Sequence, residues 1–179
     1  MTHQGPKAVR LMLRLVTPDL RVESVLELDE ARLRGLGLDA LLLDIDCTLK
    51  RYRADSPEPE VMAWLDRLRS AGIGLWLVSN GRRGRLCRLA ESLGLPVVAG
   101  ACKPLPWGCR EAIRRSGFDP RRTAMVGDQL LADVIAGRLA GLTCILVRPI
   151  QPEEEPWFTR LKRPFEQFLL RRLDNAARR

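Results

Sequence analysis

Asp44 and Asp46 flank a single isoleucine at the end of the apolar run Ala40-Leu41-Leu42-Leu43, and Thr48 follows two positions later. In an extended segment, residues two apart share a face, so both carboxylates point the same way while Ile45 turns to the other side. Two close carboxylates repel each other and need a cation or a shared proton. A third, Asp128, follows Gly127 at the end of another apolar run. An all-oxygen pocket of this kind suits Mg2+ rather than zinc, and Mg2+ binds phosphate oxygens beside one or two carboxylates. Lys103 adds a positive charge, and Ser79 and Asn80 add hydrogen-bonding groups. A dianionic phosphate would sit there neutralised, with a carboxylate facing phosphorus. Phosphoryl transfer is mostly positioning and electrostatic stabilisation, which this inventory supplies.

Other chemistries are excluded by what is missing. His3 is the only histidine, which removes Ser-His-Asp, Cys-His and His-based metal sites. Five cysteines, at 47, 87, 102, 109 and 144, form no C-x-x-C pair. In a cytoplasmic chain they are expected to be buried small hydrophobes rather than zinc ligands. Thirty basic residues against 22 acidic ones give a net charge of +8, and lysine occurs only at positions 7, 50, 103 and 162. Arginine forks match phosphate geometry, so an excess of them fits a phosphate-bearing partner. With 46% hydrophobic and 29% charged residues the chain is neither disordered nor collagen-like, and 179 residues suffice for one well-cored domain. No run approaches the ~18 apolar residues of a transmembrane helix. The first residues interleave Arg10 and Arg14 with apolar side chains, too broken for a signal-peptide core, so a cytoplasmic location is expected.

The elements that must position these residues alternate regularly. Strands are expected at 40–45, 73–78, 97–99, 123–126 and 143–147, and helices at 59–70, 84–93, 107–116 and 130–139. Glycines 72, 94, 117 and 141 follow the helices. Apolar strands without polar alternation imply a parallel sheet covered on both faces, hence one doubly wound α/β domain of about five strands. In such sheets the site lies beyond the carboxyl ends of the strands, where Asp44, Asp46, Thr48, Ser79, Asn80, Lys103 and Asp128 all fall. The expected organisation is a lead-in at 1–35, a catalytic domain at 36–150 and a basic amphipathic arm at 151–179.

Asp44-Ile-Asp-Cys-Thr48, Ser79-Asn80, Lys103-Pro104 and Gly127-Asp128-x-x-x-x-Asp133 resemble, in order, the four motifs of the haloacid-dehalogenase superfamily. The resemblance is closest to the YqeG family of its IIIA subfamily, through Val-Gly-Asp-Gln-Leu-Leu-x-Asp, Ala-Cys-Lys-Pro and the late Arg163-x-x-Glu166. It implies a Rossmann-like fold with Asp44 as nucleophile and Asp46 as general acid and base. It also implies Mg2+ held by Asp44, Asp128 and the Asp46 backbone carbonyl. Thr48, Ser79, Asn80 and Lys103 would bind phosphate, and Asp133 would orient Lys103 or the metal shell. The family pattern commonly has Asn where Cys47 and Gly81 stand.

One loop and one helix–strand unit fill the interval from Asp46 to Ser79, and one more unit the interval to Lys103, so no cap domain fits at either place. An open site suits a large or surface-bound substrate. Lys50, Arg51, Arg53, Arg82, Arg83, Arg85 and Arg88 are expected near its mouth, either as a solvated face or as a rim for an anionic substrate or bilayer. The arm mixes Trp157, Phe158, Leu161, Phe165, Phe168 and Leu169 with arginines, and either docks on the domain or lies on a membrane, as does the Val9–Val16 segment. The family is similar to mitochondrial enzymes acting on phosphatidylglycerophosphate. The resemblance therefore implies a Mg2+-dependent phosphomonoesterase with that anionic phospholipid as substrate, cytoplasmic or peripheral on the inner membrane face. The alternatives are a soluble sugar- or nucleotide-phosphate phosphatase, or a basic RNA- or partner-binding protein on the same scaffold. Scarce stacking aromatics disfavour nucleic acid. The Gly35-x-Gly37-x-x-Ala40 pattern precedes its strand instead of following it, which rejects a dinucleotide site. A phosphoacceptor receiver domain is disfavoured by the order of its acidic residues. Oligomeric state is left open.

Overall fold

Leu41 and Leu43 are buried against one side of the sheet and Leu42 against the other, because a central strand must present apolar groups to both faces. The computed structural model describes residues 15–177. His3 and most of the Val9–Val16 segment lie outside them. The strands are β1 (Leu20–Val22), β2 (Ala40–Leu43), β3 (Gly74–Ser79), β4 (Val97–Ala99), β5 (Thr123–Gly127) and β6 (Thr143–Val147). The helices are α1 (Glu30–Gly35), α2 (Pro59–Ser70), α3 (Arg83–Leu93), α4 (Trp107–Ser116), α5 (Ile135–Ala140), α6 (Trp157–Arg160) and α7 (Arg163–Ala177).

All pairings are parallel, in the order β1-β6-β5-β2-β3-β4. The doubly wound α/β fold is as expected, with six strands instead of five. The extra one, β1, comes from the lead-in and pairs with β6 at the sheet edge. Three residues are too few to show a period in the sequence. Pro59 opens α2, where its missing N–H costs nothing, and Gly94, Gly117 and Gly141 close α3, α4 and α5 in left-handed conformations.

The helix expected at 130–139 starts instead as a π turn over Leu130–Val134 before α5. One core layer joins Leu41, Leu43, Leu75 and Leu77 to α2 and α3, whose Trp64 donates to the Leu28 carbonyl at 2.8 Å. The opposite layer joins Leu42, Trp76, Val78 and Met125 to Ala112 of α4 and Ala136 of α5. Of the five cysteines, 47, 109 and 144 are buried as expected. Cys87 and Cys102 are exposed, the first on the outer face of α3 and the second in the loop after β4.

From β2 the chain winds outward through β3 to β4 on one side, then returns to β5 and winds outward to β6 on the other, where β1 from the lead-in adds the outer edge. The switch point therefore falls between β2 and β5, where two neighbouring loops separate and leave a crevice. Leu43 pairs with Val126 there, and the Asp44 amide donates to the Val126 carbonyl at 2.9 Å. Asp44 and Asp128 thereby leave the sheet side by side.

Candidate active site

Beyond the switch point lies a cavity of about 520 Å³ whose lining includes Asp44, Asp46, Ser79, Asn80, Lys103 and Asp133. Lys103 is, with Asp133, the most deeply set of these charges, its side chain 2% exposed. Its Nζ meets Asp44 Oδ1 at 2.6 Å, Asp133 Oδ1 at 2.7 Å and the Val78 carbonyl at 2.9 Å. The lysine is presented by a loop with a cis peptide before Pro104. Asn80 clamps that loop: its Nδ2 donates to the Lys103 carbonyl at 2.9 Å and its Oδ1 accepts from the Lys103 amide at 2.8 Å. Ser79 Oγ accepts from the Gly81 amide at 3.3 Å, which shapes the turn into α3.

Asp133 sits in the π turn, and its Oδ2 accepts from the Gln129 amide at 2.9 Å. It packs so closely over Gly127 that a Cβ there would stand 2.3 Å from its carboxylate. Asp128 is buried; its Oδ1 accepts from the Thr48 hydroxyl at 2.9 Å, and its Oδ2 is paired with the Arg163 guanidinium. Arg163 also donates to the Asp128 carbonyl at 2.8 Å and to Glu155 at 2.7 Å. Its partner Glu166 accepts from the Leu131 amide at 2.9 Å.

Carboxylate oxygens of Asp44, Asp128 and Asp133 lie within 4.8 Å of one another, all three residues buried. Burial pushes the Asp44 carboxyl up to about 8, against the pull of Lys103. It likewise pushes Asp128 up to about 7, against Arg163. Burial also opposes the charge of Lys103, but Asp133 and Asp44 outweigh it and hold the ammonium above its usual range. Three buried carboxylates, with Lys103 on two of them and Arg163 on the third, are a group of hard oxygen donors that could hold a divalent cation. Asp46 stands apart from this cluster, its side chain 18% exposed and paired with Lys50 Nζ at 2.8 Å and with Arg85.

The geometry thus collects Asp44, Asp46, Ser79, Asn80, Lys103 and Asp133 around one cavity, with Asp128 outside its lining but close to Asp44 and Asp133. Thr48, expected at the phosphate, lies outside the cavity lining and bonds Asp128 instead. Asn80 lines the cavity but spends both ends of its amide on the lysine loop. Lys50, expected at the rim, is buried at 2% and turned inward to Asp46. Arg51 pairs with Glu58. Of the expected basic rim, Arg82 and Arg85 line the cavity.

Among the described residues no inserted cap covers the site, yet Glu155, Pro156, Thr159 and Lys162 of the C-terminal segment form one wall. Composition and spacing do not announce this wall; Arg163-x-x-Glu166, which contributes to the family resemblance, is its one mark in the sequence. On α7, Leu169 and Leu170 pack on the domain beside Leu130 and Val134, while Phe165 and Phe168 stay exposed.

The family model described as haloacid dehalogenase-like hydrolase matches residues 6–141. The chain is 27% identical over 160 residues to the probable phosphatase YqeG of Bacillus subtilis, covering 89% of this chain and 92% of that one. It is also 27% identical over 167 residues to a chloroplastic phosphatidylglycerophosphate phosphatase 1 of Chlamydomonas reinhardtii, covering 88% of this chain and 62% of that protein. Among solved structures, the cobalt-bound deoxy-D-mannose-octulosonate 8-phosphate phosphatase of Haemophilus influenzae superposes with a TM-score of 0.52 at 18% identity, over 63% of this chain and 69% of that one. That likeness supports the fold. The four motifs, their meeting at the switch point and the family match agree: the chain belongs to the haloacid dehalogenase-like hydrolases.

Proposed function

We propose that this hydrolase is a Mg2+-dependent phosphomonoesterase that works through a phosphorylated Asp44, with phosphatidylglycerophosphate as its substrate. The observation that carries the reading is the meeting of Asp44, Asp46, Lys103 and Asp133 around one cavity at the switch point, with an Asp128 carboxylate oxygen within 4.8 Å of those of Asp44 and Asp133. Asp44 and Asp128, with the Asp46 carbonyl, are the groups to hold Mg2+. Bound there, the ion neutralises the carboxylates and the incoming phosphoryl oxygens.

Asp44 attacks phosphorus with one carboxylate oxygen, and the bond from phosphorus to the ester oxygen breaks. Asp46 delivers a proton to the departing alkoxide. The Asp46 carboxylate then takes a proton from a water whose oxygen attacks phosphorus, releasing phosphate and restoring Asp44. Lys103, fixed by Asp133 and the Val78 carbonyl, supplies positive charge to the phosphoryl oxygens. Ser79 offers its hydroxyl from the cavity wall. Asp133 orients Lys103, Thr48 holds Asp128, and Asn80 fixes the lysine loop.

The lipid half of the reading is supported by relatives named for phosphatidylglycerophosphate and by the exposed apolar and basic groups of the C-terminal segment. Among the described residues no helix is long and apolar enough to cross a membrane. Lipid would therefore be met from the bilayer surface.

The test is Mg2+-dependent phosphate release from phosphatidylglycerophosphate in micelles, p-nitrophenyl phosphate, and sugar and nucleotide phosphates. Release from the lipid that disappears in Asp44→Asn supports the whole reading. Preference for a soluble ester would keep the phosphatase and discard the lipid. Silence on every substrate by folded protein would favour a binding role for the basic surface.

A further inference from the structure

Ion pairing accounts for several of the charges that line the cavity. Lys103 is engaged by Asp44 and Asp133, Arg85 by Asp46, and Glu155 by Arg163. Arg82 and Lys162 line the same cavity, both exposed, and among the described residues neither has a carboxylate partner. They come from distant parts of the chain: Arg82 precedes α3, and Lys162 lies in the turn between α6 and α7.

Lys162 does not belong to a loose tail. The next residue, Arg163, is 12% exposed and anchored to Asp128 and Glu155, which fixes the wall carrying Lys162 beside the reacting carboxylates. A phosphoryl group displaces the volume of only a few waters, each about 30 Å³. Most of the 520 Å³ cavity is therefore left for the remainder of the substrate.

We propose that Arg82 and Lys162 form a second anion subsite, and that the C-terminal segment is a wall selecting phosphomonoesters with an additional phosphate or phosphodiester group. This rests on the phosphomonoesterase reading. Two cations at one cavity, without a carboxylate partner among the described residues, are suited to a ligand group of opposite charge, and an arginine fork with a lysine point charge matches phosphate oxygens. A soluble bisphosphate and a lipid headgroup with an internal phosphodiester share this chemistry.

The experiment compares glycerol 3-phosphate with glycerol 1,3-bisphosphate, and phosphatidic acid with phosphatidylglycerophosphate in matched micelles. The proteins are wild type, Lys162→Met, Arg82→Met and Arg121→Met, the last altering a cation before β5 at the opposite end of the sheet. The ratio of kcat/KM for the doubly over the singly phosphorylated member is expected to fall about tenfold in Lys162→Met and Arg82→Met, mainly through KM, in both pairs. In Arg121→Met the ratio should hold. Calorimetric affinities of the two soluble esters for Asp44→Asn protein, with and without Lys162→Met, give the same ratio independently of turnover.

Equal losses on both members of a pair, or no loss, would overturn the subsite. So would a loss confined to the lipid pair, which would assign the two cations to the micelle surface. Absence of turnover by wild type would sink the phosphomonoesterase reading alone, because the calorimetric ratio still decides the subsite.

Discussion

Lys103 spends its ammonium hydrogens on oxygens inside the protein, and Asp46 is held between Lys50 and Arg85. The two aspartates therefore differ by environment, though they stand two residues apart. Asp44 is buried among carboxylates against a lysine, whereas Asp46 sits at the cavity edge, where it can exchange protons with an alcohol or water. The mechanism assigns them different steps. Replacing Asp46 with Asn removes the proton donor while leaving the nucleophile, and kcat should fall about 10²–10⁴-fold. A leaving group as acidic as p-nitrophenol needs less proton help, so the first step should suffer less with it, and stopped-flow should show a burst followed by slow turnover. Equal loss on alkyl and aryl esters without a burst would argue against the assignment.

The carboxylates and Lys103 were legible because apolar runs announce strand ends and the site must lie beyond them. Thr48, Asn80 and Lys50 were not, because a hydroxyl, an amide or an ammonium can serve a ligand or a neighbour equally well. Only the contacts to Asp128, the Lys103 backbone and Asp46 decide.

At the scale of elements, the strand-to-helix junction after β5 does more than end a strand. Five residues of π turn bring Asp133 back over Gly127, so a side chain at 127 would occupy the space of that carboxylate. Gly127→Ala should push Asp133 off Lys103 and lower kcat by about tenfold or more, through a displacement of the order of 1 Å in the catalytic groups. Denaturant unfolding would show the protein still folded, at a cost of about 1–3 kcal/mol for the overpacked site. Unchanged kcat in this variant would mean that Asp133 has no part in setting Lys103.

Helix ends with glycine and strands with buried aliphatics were readable from the sequence. The π turn was not, since the apolar spacing of 130–139 is that of an ordinary helix. The Cys47 backbone turns left-handed (φ 63), a conformation that Asn tolerates better than most residues, which gives a physical reason for the Asn common there in the resembling family.

Across the whole molecule, residues far apart in sequence share one buried charge network. Asp44 and Asp133 flank Lys103, while Asp128, Glu155 and Glu166 surround Arg163 from the C-terminal segment. The Asp128–Arg163 contact joins that segment to the sheet, and no local spacing could announce it. Burial raises the carboxyls of Asp44, to about 8, and of Asp128, to about 7, and it raises Glu166 as well. A carboxyl with a raised folded pKa holds more protons in the folded than in the unfolded chain. Its contribution to stability is therefore lost as pH climbs from the unfolded value toward the folded one. In EDTA, Tm should fall between about pH 5 and about pH 8, and saturating Mg2+ should offset the fall by binding the ionised groups. A Tm that rises over this range in EDTA, or that ignores Mg2+ at the upper end, would contradict the description of the buried cluster.

A phosphoryl group carried by Asp44, as proposed, can be trapped by rapid mixing of the enzyme with substrate and Mg2+, acid quench, borohydride reduction and peptide mass spectrometry. Homoserine is expected at position 44, formed only with substrate and Mg2+ present, and with p-nitrophenyl phosphate it should accumulate further in Asp46→Asn. Reduction at another carboxylate, or release of phosphate from p-nitrophenyl phosphate with no trapped residue even in Asp46→Asn, would rule out a phosphorylated Asp44.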